Sequence, residues 1–368
     1  MPPASFPTRA LACTLLAAAC ADAPTRIVAP DAAVAAVSPA AGPYTVTFES
    51  ARDLTARSPL VEFTQFPGQR GVPVFNTGLG SAMAPAGGGR FWFLTDRGPN
   101  VDYPSPPDGK LFPAPDFAPR LVLFGSQGGR LVQLRSIDLK NAAGTPLTGM
   151  PLPIGTCGST AERGYYLDNG TVRERYDVQG IDSEGLAVAP NGDFWISDEY
   201  GPFIARYDAM GRELARYGPC AGPTSTAALP AVFATRRANR GMEGLTLTPA
   251  GLVVGMMQSP LDNPRTAGRL SRALRILVLD PANPTAASTR QFVYLAENPA
   301  LLSSEIVAID EENFLVLERD GNFPGSVPGA IKRIYKASLR GPASTDPMAT
   351  DESDPANSPT GKGYGAFG

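Results

Sequence analysis

Ser183-Glu184-Gly185-Leu186-Ala187-Val188-Ala189-Pro190-Asn191-Gly192-Asp193-Phe194-Trp195-Ile196-Ser197-Asp198-Glu199-Tyr200-Gly201 reads as two short apolar strands joined by a Pro-Asn-Gly turn, with acids at both ends. The unit recurs. Gly80-Ser81-Ala82-Met83-Ala84-Pro85 with Arg90-Phe91-Trp92-Phe93-Leu94-Thr95-Asp96 is a first copy, and Met242-Glu243-Gly244-Leu245-Thr246-Leu247 with Leu252-Val253-Val254-Gly255-Met256-Met257 a third. Ser304-Glu305-Ile306-Val307-Ala308 with Asn313-Phe314-Leu315-Val316-Leu317-Glu318-Arg319-Asp320 reads as a fourth, which keeps both acidic positions while losing the central glycine. A repeated two-strand unit with an acid near each end predicts an all-β fold, a β-propeller built of four-stranded blades whose strand ends face a shared channel.

Further strand-like runs follow each copy: Phe203 to Asp208 and Glu213 to Tyr217 after the second, Ala273 to Asp280 and Gln291 to Leu295 after the third. After the fourth, only Ile331 to Ala337 remains, so the last blade is expected to be incomplete. Strands near Tyr44 to Glu49 and Leu60 to Phe66 are available to close the ring and cover its open edges. Two inserts, Asn100 to Pro119 and Asn141 to Tyr176, interrupt the rhythm and are expected to wall a cleft on one face.

Domain organisation follows from composition. Residues 1–20 resemble an export signal, with Arg9 ahead of an apolar run too short to span a bilayer, and Leu16-Ala17-Ala18-Ala19-Cys20 resembles a lipobox. Residues 21–43 read as an Ala/Pro-rich tether, 44–340 as the propeller domain and 341–368 as a disordered tail. The protein is expected to be exported to the periplasm, the medium or the bacterial envelope, touching membrane only through a lipid anchor, and to act as a monomer. Outside the leader the cysteines are Cys157 and Cys220, expected to form a disulfide in an oxidising compartment.

The chain contains no histidine. That removes imidazole as a general base, as a triad member and as a zinc or copper ligand. Oxygen donors remain, and they suit Ca²⁺ or Mg²⁺. A net charge of −3 gives none of the basic footprint of a nucleic-acid binder. No Gly-x-Ser-x-Gly elbow, P-loop or Cys-x-x-Cys pair is present.

Ser183-Glu184-Gly185-Leu186-Ala187, Asp198-Glu199-Tyr200-Gly201-Pro202, Arg240-Gly241-Met242-Glu243-Gly244-Leu245 and Thr95-Asp96-Arg97-Gly98-Pro99-Asn100 occur in the order found in the bacterial phytase-like family, described as having esterase-like activity, which the chain resembles over Tyr44 to Leu339. The resemblance implies an exported propeller with Asp and Glu residues at a phosphoesterase or related hydrolytic site. Members carry a further Glu-Gly-Leu repeat and an Asn-Asp-rich tip that this sequence lacks.

Antiparallel pairing brings Glu184 and Asp198 to one end of a hairpin, and repetition brings Asp96, Glu199, Glu243, Glu305 and Glu318 towards the same mouth as candidate metal ligands. Glu184, Asp198 and Glu243 are the catalytic candidates. Arg97, Arg240 and Arg319, close to the acidic tips, are expected to bind an anionic substrate such as a phosphoester. The competing reading of each acid is structural, as a salt bridge or a cap on turn amides. Asp182, Asp208 and Asp320 are read as turn or solvated residues, and Trp92 and Trp195 as core. Two other functions compete: a calcium-dependent lactonase-like esterase, and a noncatalytic binding propeller of the envelope.

Overall fold

The computed structural model describes residues 59–63 and 72–75 as backbone and residues 78–339, apart from 104–105, 129, 264–267 and 323–326. The signal, lipobox Cys20, tether, tail and the strand expected at Tyr44 to Glu49 lie outside the described residues. No helix among the described residues is long and apolar enough to cross a membrane.

Strands β1 (Pro59–Phe63) and β2 (Val72–Phe75) form a hairpin of their own. Blade 1 comprises β3 (Leu79–Gly87), β4 (Arg90–Thr95), then, after β5 (Val101–Tyr103) and β6 (Gly109–Leu111), β7 (Arg120–Gln127) and β8 (Arg130–Asp138). β9 (Gly164–Asp168) and β10 (Thr171–Glu174) follow. Blade 2 is β11 (Ser183–Val188), β12 (Phe194–Asp198), β13 (Phe203–Tyr207), β14 (Glu213–Gly218) and the short β15 (Thr226–Ala227). Blade 3 is β16 (Met242–Leu247), β17 (Val253–Met257), β18 (Ala273–Leu279) and β19 (Arg290–Leu295). Blade 4 has three strands, β20 (Leu302–Ala308), β21 (Asn313–Arg319) and β22 (Lys332–Ser338). The hairpin β1–β2 shares no ladder with blade 4 among the described residues.

Period-two alternation explains why the middle strands are buried on both faces. On β12, Phe194 and Ile196 enter a core shared with Trp92 and Leu94 of blade 1, while Trp195 between them enters a core shared with Leu245, Val253 and Leu277 of blade 3. A third core joins Val254 and Ile276 of blade 3 to Ile306, Phe314 and Val316 of blade 4. Both tryptophans are therefore core, and Trp92 meets Phe194 edge-on at 5.1 Å across the blade boundary. Each large side chain buried here contributes about 1.5–3 kcal/mol.

The glycine of the Glu-Gly-Leu unit has a steric cause. A Cβ on Gly185 would lie 2.5 Å from Ser197 Oγ and 2.7 Å from the Glu243 carbonyl of the next blade; on Gly244 it would lie 2.6 Å from Ile306 N. The innermost strands press against one another there. In blade 4 the register puts Glu305 at the glycine position: Glu305 pairs with Leu317 as Gly244 pairs with Met256. Ser304, not Glu305, therefore holds the acid position of the fourth copy, which corrects the sequence alignment by one residue. No following blade presses on Glu305 among the described residues, and a side chain is tolerated.

The two inserts build a separate sheet in the order β10-β9-β6-β5, in which β6 of the first runs parallel to β9 of the second. Cys157 is disulfide-bonded to Cys220 with the Cα atoms 5.9 Å apart, tying the second insert to the loop after β14.

Candidate metal and hydrolytic site

The inner strands β3, β11, β16 and β20 surround a cavity of about 250 Å³ lined by Met83, Leu186, Leu245 and Glu305 among others. The second strands reach equivalent ladder positions at Thr95, Asp198, Met257 and Glu318, the last of these one residue before the end of β21. The residue after each, Asp96, Glu199, Gln258 and Arg319, stands at the mouth. In this register Asp96 matches Glu199 rather than Asp198.

Blade 2 supplies the centre of the site. Asp182, Glu184 and Glu199 each place a carboxylate oxygen within 4.8 Å of the others. Glu199 N–H donates to the Asp182 carbonyl at 2.8 Å, and this bond fixes the two chain ends side by side. Glu199 is buried, and its Oε1 has no hydrogen-bond partner. Burial and then repulsion from Glu243 hold the Glu184 carboxyl well above the usual range; burial and then Asp182 do the same to Glu199. Burial raises Asp182 to about 6 against the pull of Arg97. Crowded buried carboxylates short of donors are what a hard cation relieves.

Arginines flank this centre. Arg97 reaches from blade 1 with Nη1 at 2.8 Å from Glu162 and 3.3 Å from Asp182, under the ring of Tyr200. Arg319 of blade 4 donates through Nε to Ser304 Oγ at 2.7 Å and sets Nη2 at 3.6 Å from Glu243. Arg240 donates to the Asn239 carbonyl and lies near enough to Glu199 and Glu243 to pull both carboxyls down. Glu243 itself is buried, accepts from Gln258 Nε2, and is raised to about 7, chiefly by burial. Its carbonyl accepts from Ser197 Oγ, which in turn accepts from Gly185 N–H, a relay that locks blade 2 to blade 3 beneath the acids.

The family described as phytase-like, esterase-like activity of phytase, matches residues 76–361 of this sequence. The chain belongs to this family. An uncharacterized secreted protein of Arthroderma benhamiae is 29% identical over 193 residues, which are 42% of this chain and 37% of that protein. A solved protein of unknown function from Dyadobacter fermentans is similar at 13% identity and a TM-score of 0.34, over 73% of this chain and 54% of that one. A β-1,3-galactosidase solved with galactodeoxynojirimycin is similar at 8% identity and a TM-score of 0.34, over 77% and 95%. The phytase-like chain thus spans about a third of the fungal relative's length and about half of the Dyadobacter protein's.

In this phytase-like chain the expected site residues divide. Glu184, Glu199 and Glu243 come together at the mouth, with Arg97, Arg240 and Arg319 around them. Asp198 does not join the three-carboxylate group: its Oδ1 accepts the N–H groups of Asp182 and Tyr200, both at 2.9 Å, and burial raises it to about 7. It shapes the turn that carries Asp182 and Glu199. Asp96 caps Gly98 N–H at 2.7 Å and acts on Asp182 and Glu184 by repulsion. Glu305 accepts from Ile306 N–H at 2.9 Å and from Leu245 N–H, and burial raises it to about 8. Glu318 accepts from Tyr294 O–H and, at 3.0 Å, from Glu297 N–H, on the side facing blade 3.

Asp182 corrects the sequence reading. It is 2% exposed, neither a solvated nor a simple turn residue, and its place one residue before Ser183-Glu184 was the available signal. Asp208 does cap a turn, through Met210 N–H and Arg212 N–H, and Asp320 pairs with Lys332. Glu162, Tyr200, Gln258 and Arg236 were not anticipated. Arg236 donates to the Gly158 and Tyr200 carbonyls, bracing the insert against the mouth, and burial lowers it to about 10. Glu162 lies in an insert whose local sequence carries no repeat, so only the fold brings it to Arg97.

Proposed function

We propose that the protein is an exported hydrolase that cleaves a phosphoester with the help of Ca²⁺ or Mg²⁺. The observation that carries this reading is the Asp182–Glu184–Glu199 group, three carboxylate oxygens within 4.8 Å of one another beside the partnerless Glu199 Oε1. The donor set fits a hard cation, with Asp182, Glu184 and Glu199 holding it. When bound, such an ion supplies Lewis-acid polarisation of an ester oxygen and a water of lowered pKa.

The protein's own groups do the rest. Glu243, raised to about 7, is balanced near neutrality to take or give a proton at its carboxyl, the property a general acid or base needs. Gln258 and Arg319 hold its two oxygens in place. Arg319 and Arg240 offer guanidinium donors to an anionic oxygen, whereas Arg97 is largely engaged by Asp182 and Glu162 and orients the acids instead. Export is supported by the leader at residues 1–20 and by the description of the fungal relative as secreted.

Purified mature protein should hydrolyse phosphomonoester or phosphodiester probes only with Ca²⁺ or Mg²⁺ present, and Glu243→Gln should lower kcat with little change in cation affinity. Turnover of a lactone panel instead would assign the same acids to the lactonase-like alternative. A melting temperature that rises with Ca²⁺ while no probe turns over would make the protein a binding module and defeat the hydrolase reading.

A further inference from the structure

Among the described residues, the buried side-chain oxygens that meet no hydrogen-bond donor are Asp198 Oδ2, Glu199 Oε1, Asn239 Oδ1 and Gln258 Oε1. All four lie at the rim where blade 2 meets blade 3. One end of the Gln258 amide has a partner, since Nε2 donates to Glu243. The other end, Oε1, is buried without one, in a side chain only 4% exposed. A buried acceptor of this kind costs free energy until a donor or a cation reaches it.

Gln258 holds in blade 3 the position that Glu199 holds in blade 2. Met257 pairs with Met242 as Asp198 pairs with Ser183, and Gln258 and Glu199 come next in the chain. Gln258 N–H donates to the Gly241 carbonyl at 2.9 Å, as Glu199 N–H donates to that of Asp182 at 2.8 Å. Gly241 and Asp182 each stand two residues before the Glu of a Glu-Gly-Leu unit. From blade 4, Ser303 N–H donates to the Gln258 carbonyl at 2.9 Å and fixes the residue on its other side. The two frames touch. A Cβ on Gly241 would lie 2.1 Å from the Glu199 carbonyl, and one on Gly185, next to Glu184, would lie 2.7 Å from the Glu243 carbonyl. Glu243, which holds the Gln258 amide, is near enough to Glu184 and Glu199 to repel both carboxyls.

We propose that Gln258 Oε1 is a fourth, uncharged ligand oxygen for the cation held by Asp182, Glu184 and Glu199, so that the cation site spans the boundary between blades 2 and 3. The proposal rests on the cation reading of those three carboxylates. Side-chain amide carbonyls are ordinary ligands of Ca²⁺, which takes about six to eight oxygens and has room for a further protein donor. Charge accounts for an amide here rather than a carboxylate. Three carboxylates around a divalent cation leave one net negative charge, whereas a fourth would double it and repel an anionic ester.

Calorimetric titration of Ca²⁺ into the metal-free full-length protein tests this, comparing the wild type with Gln258→Leu, Gln258→Glu and Glu243→Gln. Ligation predicts that Gln258→Leu weakens Ca²⁺ binding by about tenfold or more. Gln258→Glu, which returns an oxygen with a charge, should bind at least as tightly as the wild type. Glu243→Gln, which keeps an acceptor for Gln258 Nε2, should stay close to it. Wild-type affinity in Gln258→Leu overturns the proposal and leaves the three-carboxylate site standing. An equal loss in Glu243→Gln also overturns it, since Gln258 would then act only by positioning Glu243. No binding in the wild type defeats the cation reading itself, and the fourth ligand with it. Should Gln258→Leu fail to fold, Eu³⁺ luminescence decay in H₂O and D₂O decides, with Gln258→Ser against the wild type. About one more water on the ion in the variant supports ligation, and equal hydration overturns it.

Discussion

The rim of blade 2 gathers Asp182, Glu184 and Glu199 within 4.8 Å of one another, whereas blade 4 disperses Glu305 and Glu318 onto N–H and O–H donors. The residue types are the same. What separates them is the supply of donors: Glu199 keeps a buried oxygen with no partner, while each carboxylate of blade 4 is met by protein hydrogen bonds. An acid that is satisfied by its own fold stabilises that fold, and an acid left crowded and unsatisfied costs stability until a ligand neutralises it. Clustered acids in a sequence are thus ambiguous, and their hydrogen-bond partners decide between a cap and a binding site.

The widest gap between the two blades should appear in turnover. Glu184→Gln/Glu199→Gln should lower metal-dependent hydrolysis by about a hundredfold or more. Glu305→Gln should leave it within about threefold, because Glu305 touches backbone amides and not the three-carboxylate group. Equal losses in both variants, measured as kcat/KM, would erase the distinction. Stability should reverse the order: Glu318→Ala strands Tyr294 O–H and Glu297 N–H and should cost about 2–4 kcal/mol by urea unfolding.

Much of this was legible in the sequence. The strand pairs of all four copies, the outer strands after Phe203 and Ala273, and the core roles of Trp92 and Trp195 follow from alternation, which reports burial directly. The glycine of Glu184-Gly185-Leu186 was visible as a signature, though its cause, contact with the Glu243 carbonyl of the next blade, needs the packed structure. Gly185→Ala should therefore cost about 1–3 kcal/mol and loosen the blade 2–blade 3 boundary, read as a fall in melting temperature. The fourth copy lacks the glycine that marks the register in copies two and three, so the sequence aligns its acid one residue off; the ladder, with a bulge between Ser303 and Glu305 matching the one between Met242 and Gly244, puts Glu305 at the glycine position. Nor could the sequence join Glu162 to Arg97 across an insert that carries no repeat.

pH gives a subtler contrast. Asp182, Asp198, Glu243 and Glu305 are raised by burial to about 6, 7, 7 and 8. Between about pH 4 and these values the folded chain keeps protons that the unfolded chain has released, so stability is greatest at the acid end and falls as pH rises through the window. The metal-free protein should accordingly melt at a lower temperature at pH 8 than at pH 5. Added Ca²⁺ should restore more at pH 8 than at pH 5, because the cation competes with protons for carboxyls whose proton affinity the fold raises. A melting temperature that climbs from pH 5 to pH 8 without metal would contradict the shifts.

The most direct test of a cation site at the rim of blade 2 is calorimetric titration of Ca²⁺ into metal-free full-length protein at neutral pH, alongside Glu199→Gln and Glu305→Gln. The account predicts saturable binding in the wild type, its loss in Glu199→Gln and its retention in Glu305→Gln. No binding in the wild type, or binding that survives Glu199→Gln unchanged, would contradict it.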